Sequence, residues 1–263
     1  MRSAEAVIQR VRRDINIAAA LKVVFFIAIF CSLMIGPALL KMLALGLVIC
    51  AWVWLSFTSA RGSRIAADSP SLIASGQYEE AEQRIDQAIG TFSLFQAVKL
   101  QALHQLAILR HAQHRWQESA TLCRALVSRR LGQSRVFSRQ AMLLLGESLL
   151  EMDDLPGAYQ AIVALYGQQL SLGEVLHLML AQLDYESRLG AWDRMMQAAP
   201  SKVQLAELMP AQQAARTQAL LALAAKKTNQ SDWFNWLRQR AQLLADPQVL
   251  CADRPILKEL WYA

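Results

Sequence analysis

His104, His111 and His114 come closest, by type and spacing, to a metal site. On a helix His104 and His111 share a face, and the step from His111 to His114 is a workable ligand separation. No acidic or cysteine residue close in sequence completes the set, so satisfied or solvent-facing histidines are expected, and no metal. The carboxylate pairs Glu79-Glu80 and Asp153-Asp154 have the residue type for acid–base work. They stand at turns and helix starts, where carboxylates complement the helix dipole and cap free amides. A phosphate-cradling glycine loop, a paired-histidine zinc helix and a nucleophile elbow are all missing from the sequence. The reading is therefore no enzyme, with no catalytic, cofactor-binding or metal residues. Cys31, Cys50, Cys123 and Cys251 have neither metal nor redox spacing, which leaves small buried hydrophobes and no disulfide framework.

Charge alternates along the chain. Residues 99–140 carry eight basic residues and one acidic, whereas residues 141–200 carry two basic and eight acidic. A nucleic-acid binder would be basic throughout its binding domain, so none is expected. The basic block places Arg110, Arg115, Arg124, Arg129, Arg130, Arg135 and Arg139, with Lys99, as a face for an acidic partner segment or anionic lipid headgroups. The acidic block would favour a basic partner. A solvated outer face is the alternative for both.

Between Ile15 and Thr58 the only charges are Lys22 and Lys41. As one helix this stretch would reach about 66 Å, against a hydrocarbon core of about 30 Å. Gly36-Pro37 stands near its middle and breaks it into two spans, about 18–35 and 38–57. Lys22 and Lys41 can snorkel, and Trp52 and Trp54 suit a membrane interface. Arg12 and Arg13 precede the first span, and Arg61 and Arg64 follow the second. This bias places both termini in the cytoplasm of a multi-pass protein of the inner (plasma) membrane. The tight turn leaves a re-entrant hairpin open. Residues 1–14 read as a basic tail, either an amphipathic surface helix carrying Val7, Ile8, Val11 and Ile15 or the end of the first span.

Helical periodicity governs the remainder, and it repeats. Gly76-Gln77-Tyr78-Glu79-Glu80-Ala81 returns at His114, Asp153, Gly190 and Ser231, separations of 38, 39, 37 and 41 residues. Each copy opens with a turn residue, usually followed two positions later by a large apolar one. Leu103/Leu106/Ala107, Met142/Leu145/Gly146, Met179/Leu183 and Leu220/Leu223/Ala224 mark a first helix before the last four. The segment Gly76–Ala81 and the pair Leu145-Gly146 resemble the tetratricopeptide repeat family, across about residues 62–245. The resemblance is to its membrane-anchored bacterial members. The longer spacing and the lack of regularly placed prolines depart from the family's 34-residue unit.

An all-α protein is expected: a transmembrane helical hairpin (15–58), then a tetratricopeptide-like α-solenoid of about five helix pairs (62–245), then a C-terminal cap (246–263). The resemblance implies a membrane-tethered scaffold or adaptor that binds protein partners. A second reading makes the chain an integral subunit of a membrane complex. Its hairpin would then pack through Ala18, Ala19, Ala20 and Ala28 against other spans.

Overall fold

A computed structural model describes residues 3–34, 38–128, 131 and 135–262, all helical or irregular with no strand among them. Gly36-Pro37, Arg129 and Arg130 lie outside the described residues, as do the side chains of Lys41, Arg61, Arg64 and Arg135. The chain divides into two compact units, Met1–Ser148 and Leu149–Ala263.

In the first unit, α1 (Ala4–Met34) and α2 (Ala38–Ala67) are long apolar helices. They are followed by α3 (Ser69–Ala74), α4 (Tyr78–Gly90), α5 (Gln96–Ala112), α6 (Trp116–Val127) and the start of α7 (Arg135–Glu151). The basic tail and the first predicted span form one uninterrupted helix, because nothing between Ala4 and Met34 breaks the ladder. Ala4, Val7, Val11 and Ala18, at steps of three, four and seven residues, form a buried stripe on α1. This stripe packs on α5 and α6, while α2 packs on α4 and α5. Burying it removes the apolar face that a surface-lying helix would need. The core beneath is aliphatic, with Ile85, Leu94, Leu103, Leu109 and Leu122 sealed from solvent.

The second unit holds α8 (Leu155–Tyr166), α9 (Leu172–Arg188), α10 (Trp192–Met196), α11 (Ala199–Ala206), α12 (Ala211–Lys227) and α13 (Ser231–Leu244). After these come α14 (Pro247–Asp253), a 3-10 turn at Pro255–Leu257 and α15 (Lys258–Trp261). Its centre is α12, whose run Ala219–Ala225 is buried all round. The C-terminal elements bury Leu250, Cys251, Leu257 and Leu260 in the same cluster.

The repeat is visible in the backbone. Gly76, His114, Asp153, Gly190 and Asn229 all take positive φ, between 58° and 77°. At each, the residue's N–H bonds a carbonyl three back, and the next N–H bonds one five back. Examples are Gly76 to Ile73 with Gln77 to Leu72, and Asn229 to Lys226 with Gln230 to Ala225. This left-handed closure satisfies the last carbonyls of the first helix. The second helix then starts two residues on, at Tyr78, Trp116, Leu155, Trp192 and Ser231.

Two readings shift as a result. The fifth turn centres on Asn229 rather than on Ser231, which is instead the first residue of α13. The fourth second helix is also split, because Ala198 adopts φ 52° and Pro200 restarts the chain as α11.

Candidate functional site

Most of the surface of α1 and α2 beyond the buried stripe is apolar and exposed. Val23, Val24, Phe26, Ile27 and Phe30 on α1 face outward, as do Met42, Leu43, Leu47, Val53 and Phe57 on α2. Their most apolar stretches are only 11% and 6% buried, which sets them apart from core helices of a soluble domain. Both helices are long and apolar enough to cross a membrane. Trp52 packs edge-on against Phe25 at 5.3 Å, holding the two helices together, while Trp54 points outward. Lys22, Arg12 and Arg13 are exposed on α1. Cys31 and Cys50 are exposed too, against expectation, because the faces that carry them meet no protein; Cys123 and Cys251 are buried. Burial pushes the Cys123 thiol up to about 12, so it is inert as a nucleophile.

Two polar contacts fix the feet of this pair. Lys99 on α5, 1% exposed, donates to Asp14 on α1 at 2.8 Å and to the Ile89 carbonyl at 2.6 Å. Ser59 on α2, fully buried, accepts from the Leu94 N–H at 2.8 Å. Asp14 extends the stripe of Val7, Val11 and Ala18, so it meets the helical unit rather than solvent. Lys99 reads in sequence as one more member of a basic face. The signal that could have singled it out is its place four residues before Leu103 and seven before Leu106, on the stripe of α5 that is buried.

The predicted basic face is divided among other tasks. Arg110 is 4% exposed and pairs with Glu82 at 2.7 Å and Glu118 at 3.3 Å. Burial opposes its charge, but the Glu82 hydrogen bond and both carboxylates raise its pKa. In return Arg110 holds the Glu82 carboxyl below its ordinary value. Arg110 is thus withdrawn from any outer surface. Arg115 also pairs with Glu118. Arg139 is partly buried, whereas Arg124 is exposed. Arg124 shares a groove between α1 and α6 with Arg12, from the other predicted group.

The histidines part company. His104 is 7% exposed beside Phe137, and burial lowers its pKa to about 4. His111 and His114 both abut the Trp116 ring, at 4.6 and 4.9 Å between centroids. His111 Nδ1 lies 3.1 Å from Ser148 Oγ and its Nε2 4.0 Å from Glu147, in the chain order of a hydrolytic triad. Ser148 is fully buried, however, its hydroxyl 2.8 Å from the Leu144 carbonyl and 3.1 Å from Ser119 Oγ, so no substrate reaches it. No group of three or more metal-capable side chains occurs among the described residues.

A dense charge cluster lies in the second unit, where the sequence alone shows an acidic block. Asp184, 2% exposed, accepts from Arg254 at 2.8 and 3.0 Å and from Arg216 at 2.9 Å. Arg254 also pairs with Glu151, and Arg188 lies within 4.0 Å of Glu151, Asp153 and Asp184. Burial opposes the Arg254 charge, and Asp184 and Glu151 more than restore it, raising its pKa. Asp184 follows Leu176 and Leu180 at the same helical step, so a carboxylate on an apolar stripe was the available clue. These groups pair with one another around Asp184, which makes the cluster a structural clasp on the C-terminal segment.

No family model, curated protein or solved structure matches the chain.

Proposed function

We propose that this chain is a membrane-anchored helical-repeat adaptor. Its α1–α2 pair enters the bilayer as a hairpin, and its helix pairs bind partner proteins at the cytoplasmic face. The observation that carries the reading is the contrast of surfaces on one pair of helices. At the base of α1 one stripe, through Val7 and Val11, is buried in the helical unit, whereas from Ile17 to Met34 the helix presents mostly exposed aliphatic and aromatic side chains. That free length is about 27 Å at 1.5 Å per residue, close to a hydrocarbon thickness of about 30 Å. Basic residues at its foot favour a cytoplasmic base. The five matching left-handed turns support a tetratricopeptide-like arrangement, whose helix pairs offer grooves for a partner's helix or extended segment.

Reporter fusions at both ends test the topology: both read cytoplasmic, and an external C-terminus overturns it. For the adaptor role, photo-crosslinkers at exposed Tyr159, Tyr166 and Leu189, and others at Ala20 and Ala28, are placed in the full chain in intact cells. Crosslinks from the helix pairs to a protein partner are expected. Crosslinks confined to the hairpin would replace the adaptor with the membrane-complex subunit.

A further inference from the structure

We propose that the groove between α1 and α6 holds the headgroup of an anionic phospholipid. The inference rests on the membrane reading above and gives the foot of the hairpin a ligand. The groove, about 420 Å³, has Gln9 and Arg12 on its α1 wall and Arg124, Ala125 and Ser128 on its α6 wall. A second depression of about 430 Å³ shares Gln9 and Arg12 and continues along α1 past Asn16 to Ile17 and Ala20. One surface thus runs from two guanidinium groups to bare apolar helix.

Charge and depth both suit a lipid. Arg12 and Arg124 are exposed, and neither has a carboxylate partner among the described residues, whereas Arg110 and Arg115 are taken by Glu82 and Glu118. Two arginines lining one groove are suited to phosphate oxygens. Arg12 precedes Ile17 by five residues, about 7.5 Å along the helix. The headgroup layer of a bilayer is roughly 5–8 Å deep on each side, so a phosphate at Arg12 sets its acyl chains level with Ile17 and Ala20. Glu5 lines the same groove. One carboxylate against two cations leaves the groove positive, and it supplies an acceptor for headgroup hydroxyls. A phosphoglycerol headgroup, with both phosphate and hydroxyls, fits this set.

The test uses the full chain in nanodiscs of phosphatidylcholine mixed with phosphatidylglycerol, reading by native mass spectrometry which lipid stays bound on release. The wild-type chain is expected to retain phosphatidylglycerol over phosphatidylcholine by roughly thirtyfold, the scale of two basic groups at an anionic surface. R12Q/R124Q should lose this preference, and R194Q/R238Q, with the same net charge, should keep it. Equal loss in both variants, or no preference in an inserted wild-type chain, overturns the site while leaving the anchor standing. Displacement of the lipid by millimolar inorganic phosphate would make the site one for free phosphate and overturn the lipid. A chain that fails to insert overturns the membrane reading and the site with it.

Discussion

Lys99 and Asp14 show how a charge is kept inside the first unit. An ammonium withdrawn from water is tolerated only with close oxygen partners, and Lys99 has a carboxylate and a carbonyl within 2.8 Å. K99M should therefore lower stability by about 3 kcal/mol, since it strands Asp14, and K99M/D14L should recover most of that loss. Chemical denaturation of the single and double variants checks the pair, and additive losses would show that it is not coupled. His104 is the opposite case, a titratable group kept neutral. Its pKa falls from the ordinary value near 6.5 to about 4 on burial, so the unfolded chain binds the extra proton between these values. Stability is then full above about pH 6.5 and declines as pH falls towards 4, by up to about 3 kcal/mol. H104L should flatten this part of the stability–pH curve. An NMR titration placing the His104 pKa above 6 would remove the basis of the claim.

Among the elements, the five turns carry the repeat. A non-glycine residue pays a conformational penalty in the left-handed region of about 1 kcal/mol, and Gly76 and Gly190 avoid it. A Cβ at Gly76 meets nothing within 4 Å, and one at Gly190 meets only the Trp192 ring at 3.7 Å. G76A and G190A should each cost about 1 kcal/mol through backbone conformation alone. Gly167 has ordinary φ and open space, so G167A should be neutral or gain about 0.4–1 kcal/mol. Thermal melts of the three variants distinguish turn geometry from a general dislike of added side chains. His114, Asp153 and Asn229 hold the same conformation without glycine, which is why the repeat is faint to the eye. Position one is specified by a backbone angle that several polar residues tolerate, not by one residue type.

For the whole molecule, the hairpin and the first unit are one structure rather than an anchor and a tethered domain. Val7, Val11, Asp14 and Ser59 all contribute to the helical unit's interior. A chain beginning at residue 62 loses each of them, uncovering part of α5 and leaving Lys99 without its carboxylate. Such a fragment should show weakened near-ultraviolet circular dichroism and faster amide exchange across residues 89–106 than the full chain. Native-like protection there would mean that the hairpin is dispensable to the fold.

Much was legible in the sequence, because it is encoded in runs and periods. The length and apolarity of residues 15–58 mark two long apolar helices, and the recurrence near 38 residues locates turns at 76, 114, 153 and 190 to the residue. The fifth was misplaced because Trp233 and Trp236 drew the register two positions late. Pairing belongs to tertiary structure. Whether an arginine faces lipid, a partner or an internal carboxylate depends on which helix lies opposite, and no local pattern states that. Sequence alone thus puts Arg110 on an open face that Glu82 and Glu118 close, and leaves Asp184 in an acidic block although three arginines surround it. Arg12 and Arg124, more than a hundred residues apart, became one groove only when α1 packed onto α6. Composition and periodicity determined which helices exist; burial and packing decided which charges remain available for function.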